Sequence, residues 1–283
     1  MPPDTTPGKE IYVSVTEGAD SIARGGNWRR AYKTLQEAVN KARSGDFIYV
    51  APGEYDEAVT IARAKSNLTI IGVGGRGAVF VAPSTTNATA LTIEADDFTM
   101  DNVGCDGDGA GHAVVNRGRR TRISRSKIEG GTDGLRLTLG SIAQIDAGTQ
   151  GKGDDLWFID CEIASNTNGV NLVSTDYGAV TQIRFRDCTF HDNTKDFFET
   201  VGAGGSVGVL FRDLDVEGCK FRRMEDGTEP TFYMDLNGDN ANSGVVADCT
   251  FPTALAGGKN LVSTALIWTA NKHADGISNA QPS

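Results

Sequence analysis

Phe158-Ile159-Asp160-Cys161-Glu162-Ile163 is a phrase that the chain repeats. It returns as Phe185-Arg186-Asp187-Cys188-Thr189-Phe190, Val216-Glu217-Gly218-Cys219-Lys220-Phe221 and Val246-Ala247-Asp248-Cys249-Thr250-Phe251. Each copy opens and closes on an apolar residue and sets Asp or Gly before its cysteine. The frame extends backwards through Ile123 to Ile128, Phe98 to Val103 and Leu68 to Val73. First positions at 68, 98, 123, 158, 185, 216 and 246 lie 30, 25, 35, 27, 31 and 30 residues apart. A second apolar column follows at Leu91, Val114, Leu135, Val170, Phe197, Phe232 and Leu261. In three successive repeats a turn stays in register, as Thr132-Asp133-Gly134, Thr167-Asn168-Gly169 and Thr194-Lys195-Asp196.

Short constant segments at variable spacing describe a coil with fixed strands and adjustable turns, whereas helical and leucine-rich repeats hold a near-constant length. Val, Ile, Phe and Thr dominate the segments, and alternate residues such as Cys161 and Ile163 share a face. The pattern predicts an all-β chain, a single-stranded right-handed parallel β-helix (a solenoid) whose like residues stack at ~4.8 Å. Stacked Cys, Phe and Ile columns fill its narrow interior. CxxC spacing is absent and a free cysteine commonly acts as a small buried hydrophobe, so no metal or cofactor is expected. Cys105 falls outside the column, beside Asp106-Gly107-Asp108-Gly109, where a turn is expected.

An open coil exposes strand edges and core, so it needs caps. Thr34-Leu35-Gln36-Glu37 has the capping-box pattern. Leu35, Ala38, Val39 and Ala42 recur at helical spacing, and Gly45 supplies a stop. Residues 1–46 are therefore read as an arm, a short strand and an N-terminal α-helical cap. Residues 47–257 form the coil and 258–283 a cap strand and tail, all in one domain. Asn260 to Trp268 is expected to supply the last strand. The polar residues from Thr269 onward are expected to be loosely ordered or shaped for a partner.

Lys and Arg number 27 against 37 Asp and Glu, a formal charge of −10. That balance argues against nucleic acid and anionic membranes as partners, since both are held by clustered cations. No apolar run approaches the ~18 residues of a membrane span. The opening Met1-Pro2-Pro3-Asp4-Thr5-Thr6-Pro7-Gly8 has neither a basic nor an apolar region, so no signal peptide is expected.

Tyr32-Lys33-Thr34-Leu35-Gln36-Glu37-Ala38-Val39, then Gly45-Asp46-Phe47-Ile48-Tyr49-Val50-Ala51-Pro52-Gly53-Glu54-Tyr55, then Asn67-Leu68-Thr69-Ile70-Ile71-Gly72, resembles the opening of the pectin-lyase-like β-helix superfamily. The motif covers about the first quarter of the chain, and the repeats carry the likeness onward. The superfamily includes lyases, hydrolases, esterases, adhesins and phage tailspikes, so the resemblance implies a fold rather than a reaction.

Polysaccharide-cleaving members cluster acids, Arg, Lys or His on one outer face of adjacent coils. Of the polygalacturonase-type set only Asp154-Asp155 and Ala110-Gly111-His112-Ala113 come near, and the two-Asp, Gln and Arg set of pectin methylesterases is absent. The best catalytic candidate is Asp160 stacked above Asp187, at ~4.8 Å between Cα atoms. Such a pair could act as acid and nucleophile in glycoside cleavage, or hold Ca²⁺. The competing reading makes Asp160, Asp187 and Asp248 strand-ending turn residues, partly offset by Arg125, and this reading is preferred. Asp96-Asp97 and Asp154-Asp155 are read as loop acids. His112, His191 and His273 occupy unrelated frame positions, and Arg184, Arg186, Arg212, Arg222 and Arg223 are expected to pair with neighbouring acids. Gly72-Val73-Gly74-Gly75-Arg76-Gly77 opens no helix and lacks the Lys-Ser/Thr of a P-loop.

The expectation is therefore a non-catalytic structural protein of a phage virion, a capsid decoration, cement or head-associated subunit assembled in the host cytoplasm. The short chain leaves no room for a tailspike's extra domains, which favours decoration over a spike, and a homotrimer contacting capsid or other virion proteins is expected. The tail from Trp268 to Ile277 also resembles the ends of short phage-encoded β-helix proteins. The alternatives are a tailspike-type polysaccharide lyase or hydrolase, or an adhesin that binds a surface glycan.

Overall fold

Largely apolar segments of two to seven residues, broken by single-residue kinks, wind the chain into coils of three strands. The computed structural model describes residues 8–21, 25–138, 154–173, 180–200, 211–236, 243–254, 259–262 and 266–280. Ten parallel strands, from Glu10–Val13 to Leu266–Thr269, stack as the first wall. Seven, from Gly53–Tyr55 to Lys220–Phe221, form the second wall, and eight, from Val59–Ile61 to Asn260–Val262, form the third. Each coil visits the walls in that order, which is the parallel β-helix expected. The first strand, Glu10–Val13, already pairs with Phe47–Val50, so the first wall begins ahead of the helix. The expected boundary at 257/258 and the first seven residues lie outside the described residues.

Between the first and second walls the chain turns on one residue in the left-handed region. Asn102 (φ 57°), Arg125 (51°), Asp160 (51°), Asp187 (55°), Gly218 (65°) and Asp248 (54°) hold this place in successive coils. Asp and Asn tolerate that conformation better than other residues with a Cβ, and Gly has no penalty there. This explains the Asp or Gly before each repeated cysteine.

The cysteines then point inward. Cys161, Cys188, Cys219 and Cys249 are each at most 1 % exposed. Each thiol lies at 3.3–3.7 Å from the carbonyl two residues earlier and from one in the preceding coil. Burial and neighbouring thiols hold the Cys161, Cys188 and Cys219 groups well above the ordinary thiol range. Cys105 departs from the expected turn. It lies in the strand Gly104–Asp106, fully buried, in register with Val81 and Ile128 in the second wall's inner column.

Two columns need correction. Ile123 pairs with Met100, and the column continues to Ile70, not to Phe98 and Leu68. Phe197 pairs with Met234 rather than Phe232, and Met234 pairs with Asn260 rather than Leu261. Strand side chains repeat every two residues, so a frame slipped by two keeps the same inward face. At Asn260 the inward residue is polar, which shifted the apolar pattern to its neighbour.

The helix α1 (Leu35–Lys41) covers the first coils, burying Leu35, Ala38 and Val39. Thr34 Oγ1 accepts from Glu37 N–H at 3.4 Å, the first half of the predicted box. The return half is absent, because Thr34 N–H goes to Asp20 and Glu37 meets Lys41. Glu57 instead receives the N–H groups of Leu35 (2.6 Å) and Gln36 (2.8 Å), while Lys65 Nζ donates to the carbonyls of Asn40 (2.8 Å) and Ala42 (2.6 Å). Both charges match the helix macrodipole. At the far end residues 270–280 are not loose. Asn271–His273 and Gly276–Ser278 form an antiparallel hairpin on the second wall.

Candidate functional site

The strongest concentration of polar side chains lies on the outer face of the third wall, around Asp133. The in-register triplets read from sequence as turns are the beginnings of third-wall strands, with Asp133, Asn168 and Lys195 paired side by side. Asp133 faces away from the apolar interior yet is 1 % exposed. Its Oδ1 accepts from Asn168 Nδ2 at 2.9 Å and Asn171 Nδ2 at 3.0 Å, and its Oδ2 meets Arg136 at 2.8 Å. His112 Nδ1 stands 3.2 Å from Oδ2, in line for an ion pair but not aligned for a hydrogen bond. Burial pushes the His112 imidazole below its ordinary value, against the pull of Asp133, so the ring is neutral near pH 7. Thr200 Oγ1 donates to Asn171 Oδ1 at 2.9 Å and extends the network by one coil.

Chemically this is a carboxylate saturated by three donors. Its oxygens are engaged by these donors, which leaves little lone-pair capacity for a substrate or a water. Among the described residues no second carboxylate touches it. Farther along the same face Lys195 lies 3.8 Å from the Phe198 ring centroid and 5.5 Å from that of Phe232, and pairs with Asp235 at 3.0 Å.

Asp160 and Asp187 do occupy successive coils, and both are the left-handed turn residues already described. Asp160 is half exposed and engaged by Arg76 at 2.6 Å, which also donates to its carbonyl at 2.8 Å. Arg125, expected to offset Asp160 in part, is held by Asp101 and also feels the Asp160 charge in the next coil. A stacked carboxylate pair that the repeat pattern did not reveal is Asp106 and Glu129, in register on the second wall. Lys127 neutralises it from 2.6 Å at Glu129. The slipped frame concealed it: Asp106 and Glu129 stand equally far after Met100 and Ile123, whereas the sequence pattern sets Ile123 against Phe98. His191, set apart in that frame, lies between Asp192 (2.5 Å) and Glu162 (3.3 Å).

The loop acids are partnered. Asp155 accepts from Trp157 Nε1 at 2.9 Å and pairs with Arg184 at 2.5 Å, and Asp97 pairs with Arg120 at 2.5 Å. Asp154 is buried and accepts from Thr181 N–H at 2.7 Å; burial pushes its carboxyl up to about 6. As expected, Arg184 and Arg186 pair with neighbouring acids, Arg186 with Glu217 at 3.0 Å. Among the described residues no group of three or more His, Cys, Asp or Glu side chains is arranged to hold a metal ion.

No family model matches the chain, and no curated protein matches it. Solved structures do. A carrot pectin methylesterase superposes with a TM-score of 0.53 at 16% identity, covering 95% of this chain and 84% of its own. Pectate lyase Pel9A gives 0.60 at 12% identity, over 93% of this chain and 74% of the enzyme. The fold is the right-handed parallel β-helix that these enzymes share. ORF18 of Geobacillus virus E2 shares this fold, with a TM-score of 0.62 at 17% identity, over 92% of this chain. This chain spans 56% of that viral protein's length. Identities this low establish a common coil, and chemistry must be argued from the walls themselves.

Proposed function

We propose that this β-helix is a non-catalytic structural subunit of a phage particle, a decoration or cement protein that sits on the capsid and bridges its subunits. The observation that carries the reading is the state of the outer acids. Asp97–Arg120, Asp155–Arg184, Glu217–Arg186 and Asp235–Lys195 each tie one coil to the next. Exposed pairs of this kind contribute only about 0–1 kcal/mol each. Their consequence here is chemical as much as energetic, since they occupy the carboxylates that a sugar-cleaving pair would need. The viral relative of the same fold adds support. Counting the protein by mass spectrometry in purified particles tests the proposal: hundreds of copies support decoration, about three to eighteen point to a spike or tail, and absence ends the virion reading.

A second reading, glycan binding or cleavage on the third wall, is favoured by the outward rings of Phe198 and Phe232 beside the Asp133 network. A polysaccharide panel incubated with wild type and Asp133→Asn separates the two. Chain cleavage lost in the variant would replace the structural reading.

A further inference from the structure

Each apolar inner column changes chemistry at the C-terminal end of the coil. Met234 is followed by Asn260, Val246 by Trp268, Cys249 by Asn271 and Phe251 by His273. His273 stacks on Phe251 with centroids 5.1 Å apart, and Trp268 lies 5.7 Å from His273. Asn271 closes the cysteine column completely: it accepts from Cys249 N–H at 3.0 Å and donates to the Val246 carbonyl at 2.8 Å. The other three do not close. Asn260 is 1 % exposed, Trp268 3 % and His273 7 %. Yet neither amide atom of Asn260, nor Trp268 Nε1, nor either ring nitrogen of His273 has a hydrogen-bond partner. The Thr253 carbonyl lies beside the His273 ring without reaching hydrogen-bond geometry.

Leaving a buried polar group unbonded costs about 1–3 kcal/mol, so three at one end of a coil are expensive. The N-terminal end shows the contrast, sealed by α1 and its two remote charged caps. At the C-terminal end Ile267 is 61 % and Ile277 72 % exposed, the most exposed large apolar side chains among the described residues. The strand Leu266–Thr269 is the last of the ten-stranded wall. A long wall ending on an apolar strand is an edge that pairs readily with another chain.

We infer that the C-terminal end of the coil is an interface that receives the same end of a second copy about a twofold axis. Three features favour a copy over an unrelated partner. The edge is self-complementary, because two identical strands can pair antiparallel with Ile267 opposite its own mate. The hydrogen-bond inventory is self-complementary too: Asn260 and His273 can each donate and accept, and Trp268 donates. Charge agrees, since the terminal hairpin carries Lys272 and Asp275, opposite in sign, on a chain whose formal net charge is −10. Two such ends meet without the repulsion that contact elsewhere on the acidic surface would bring.

The test is sedimentation equilibrium of the full chain in the micromolar range. Wild type is expected to be a dimer. Ile267→Asp and Ile277→Asp are each expected to give monomers with unchanged circular dichroism, because both side chains point outward, and with a melting temperature that no longer rises with protein concentration as that of a wild-type dimer does. In parallel, Ile267→Cys is expected to form an intermolecular disulfide under mild oxidation, while the interior cysteines stay reduced. A monomeric wild type, a trimer, or a dimer indifferent to both Asp substitutions overturns the inference, as does failure of Ile267→Cys to cross-link.

Discussion

Asn166 and Asn193 stand one above the other in successive coils, and Asn193 Oδ1 receives both the backbone and the side-chain N–H of Asn166, each at 3.0 Å. Asn193 Nδ2 in turn donates to the Ile163 carbonyl and to Asp196 Oδ1, both at 2.9 Å. Below, Asn166 Oδ1 accepts from Gly131 N–H at 3.0 Å. This ladder satisfies the backbone at the bend between the second and third walls, where no strand partner can. Replacing Asn193 by Ala leaves its buried partners unbonded and is expected to lower unfolding free energy by about 3 kcal/mol or more in chemical denaturation. A loss under about 1 kcal/mol would show the ladder to be dispensable.

Glu57 is the remote N-cap of α1. Glu57→Ala is expected to cost about 1–2 kcal/mol and Glu57→Gln less, since an amide keeps one acceptor but loses the charge at the helix N-terminus. Hydrogen exchange of the Leu35 and Gln36 amides is the local readout. Both should exchange faster in the variants while the coil's inner strands keep their protection.

The turn positions offer a direct contest between the two readings of Asp187. A left-handed φ of 55° suits Gly as well as Asp, and Gly218 fills the same place one coil later. Asp187→Gly is therefore expected to change stability by less than about 1 kcal/mol, whereas Asp187→Val should cost about 1–3 kcal/mol from backbone strain. Thermal melts of the two variants decide it, and equal melting temperatures would remove the turn argument.

Asp154 makes stability depend on pH. Its carboxyl titrates near 3.8 when unfolded and at about 6 when folded. Between these values the folded protein holds the extra proton, so this group's effect is to lower stability as pH rises through that window. The penalty is fully present above about 6 and absent below about 4, with a ceiling of about 2–3 kcal/mol. Asp154→Asn is expected to flatten that part of the curve, so the difference in unfolding free energy between variant and wild type should grow from pH 4 to 6.

All five cysteines are buried and free. A disulfide-exchange reagent should therefore titrate none of them in the native protein and all five after denaturation. Fast modification of even one native thiol would contradict a packed column, and Cys105, buried in a strand, is the sharpest case.

The repeated phrase was legible because coil geometry leaves few choices. Stacked strands need the same inward positions in every coil, and the kink between the first two walls needs a residue that accepts a left-handed φ. Asp before Cys therefore recurs, and the coil, its handed kinks and the cap at Leu35, Ala38 and Val39 follow from local pattern alone. Register was less legible, because a period of two cannot distinguish Phe98 from Met100 as the partner of Ile123. The hairpin at Asn271–His273 was hidden by its polar composition, which suggests a loose tail wherever neighbours are unknown.

Relations between coils belong to tertiary structure. Glu57 caps helix amides 22 and 21 residues before it, Asp106 comes to lie beside Glu129, and Asp133 gathers Asn168 and Asn171 from the next coil. Sequence separation carries no information about these pairs, since variable turn lengths set which residues face each other on an outer wall. Inner positions repeat because packing inside a narrow coil constrains every rung alike. Outer positions are free to vary from rung to rung, so the sequence by itself determined the scaffold and only the folded coil decided which charges meet.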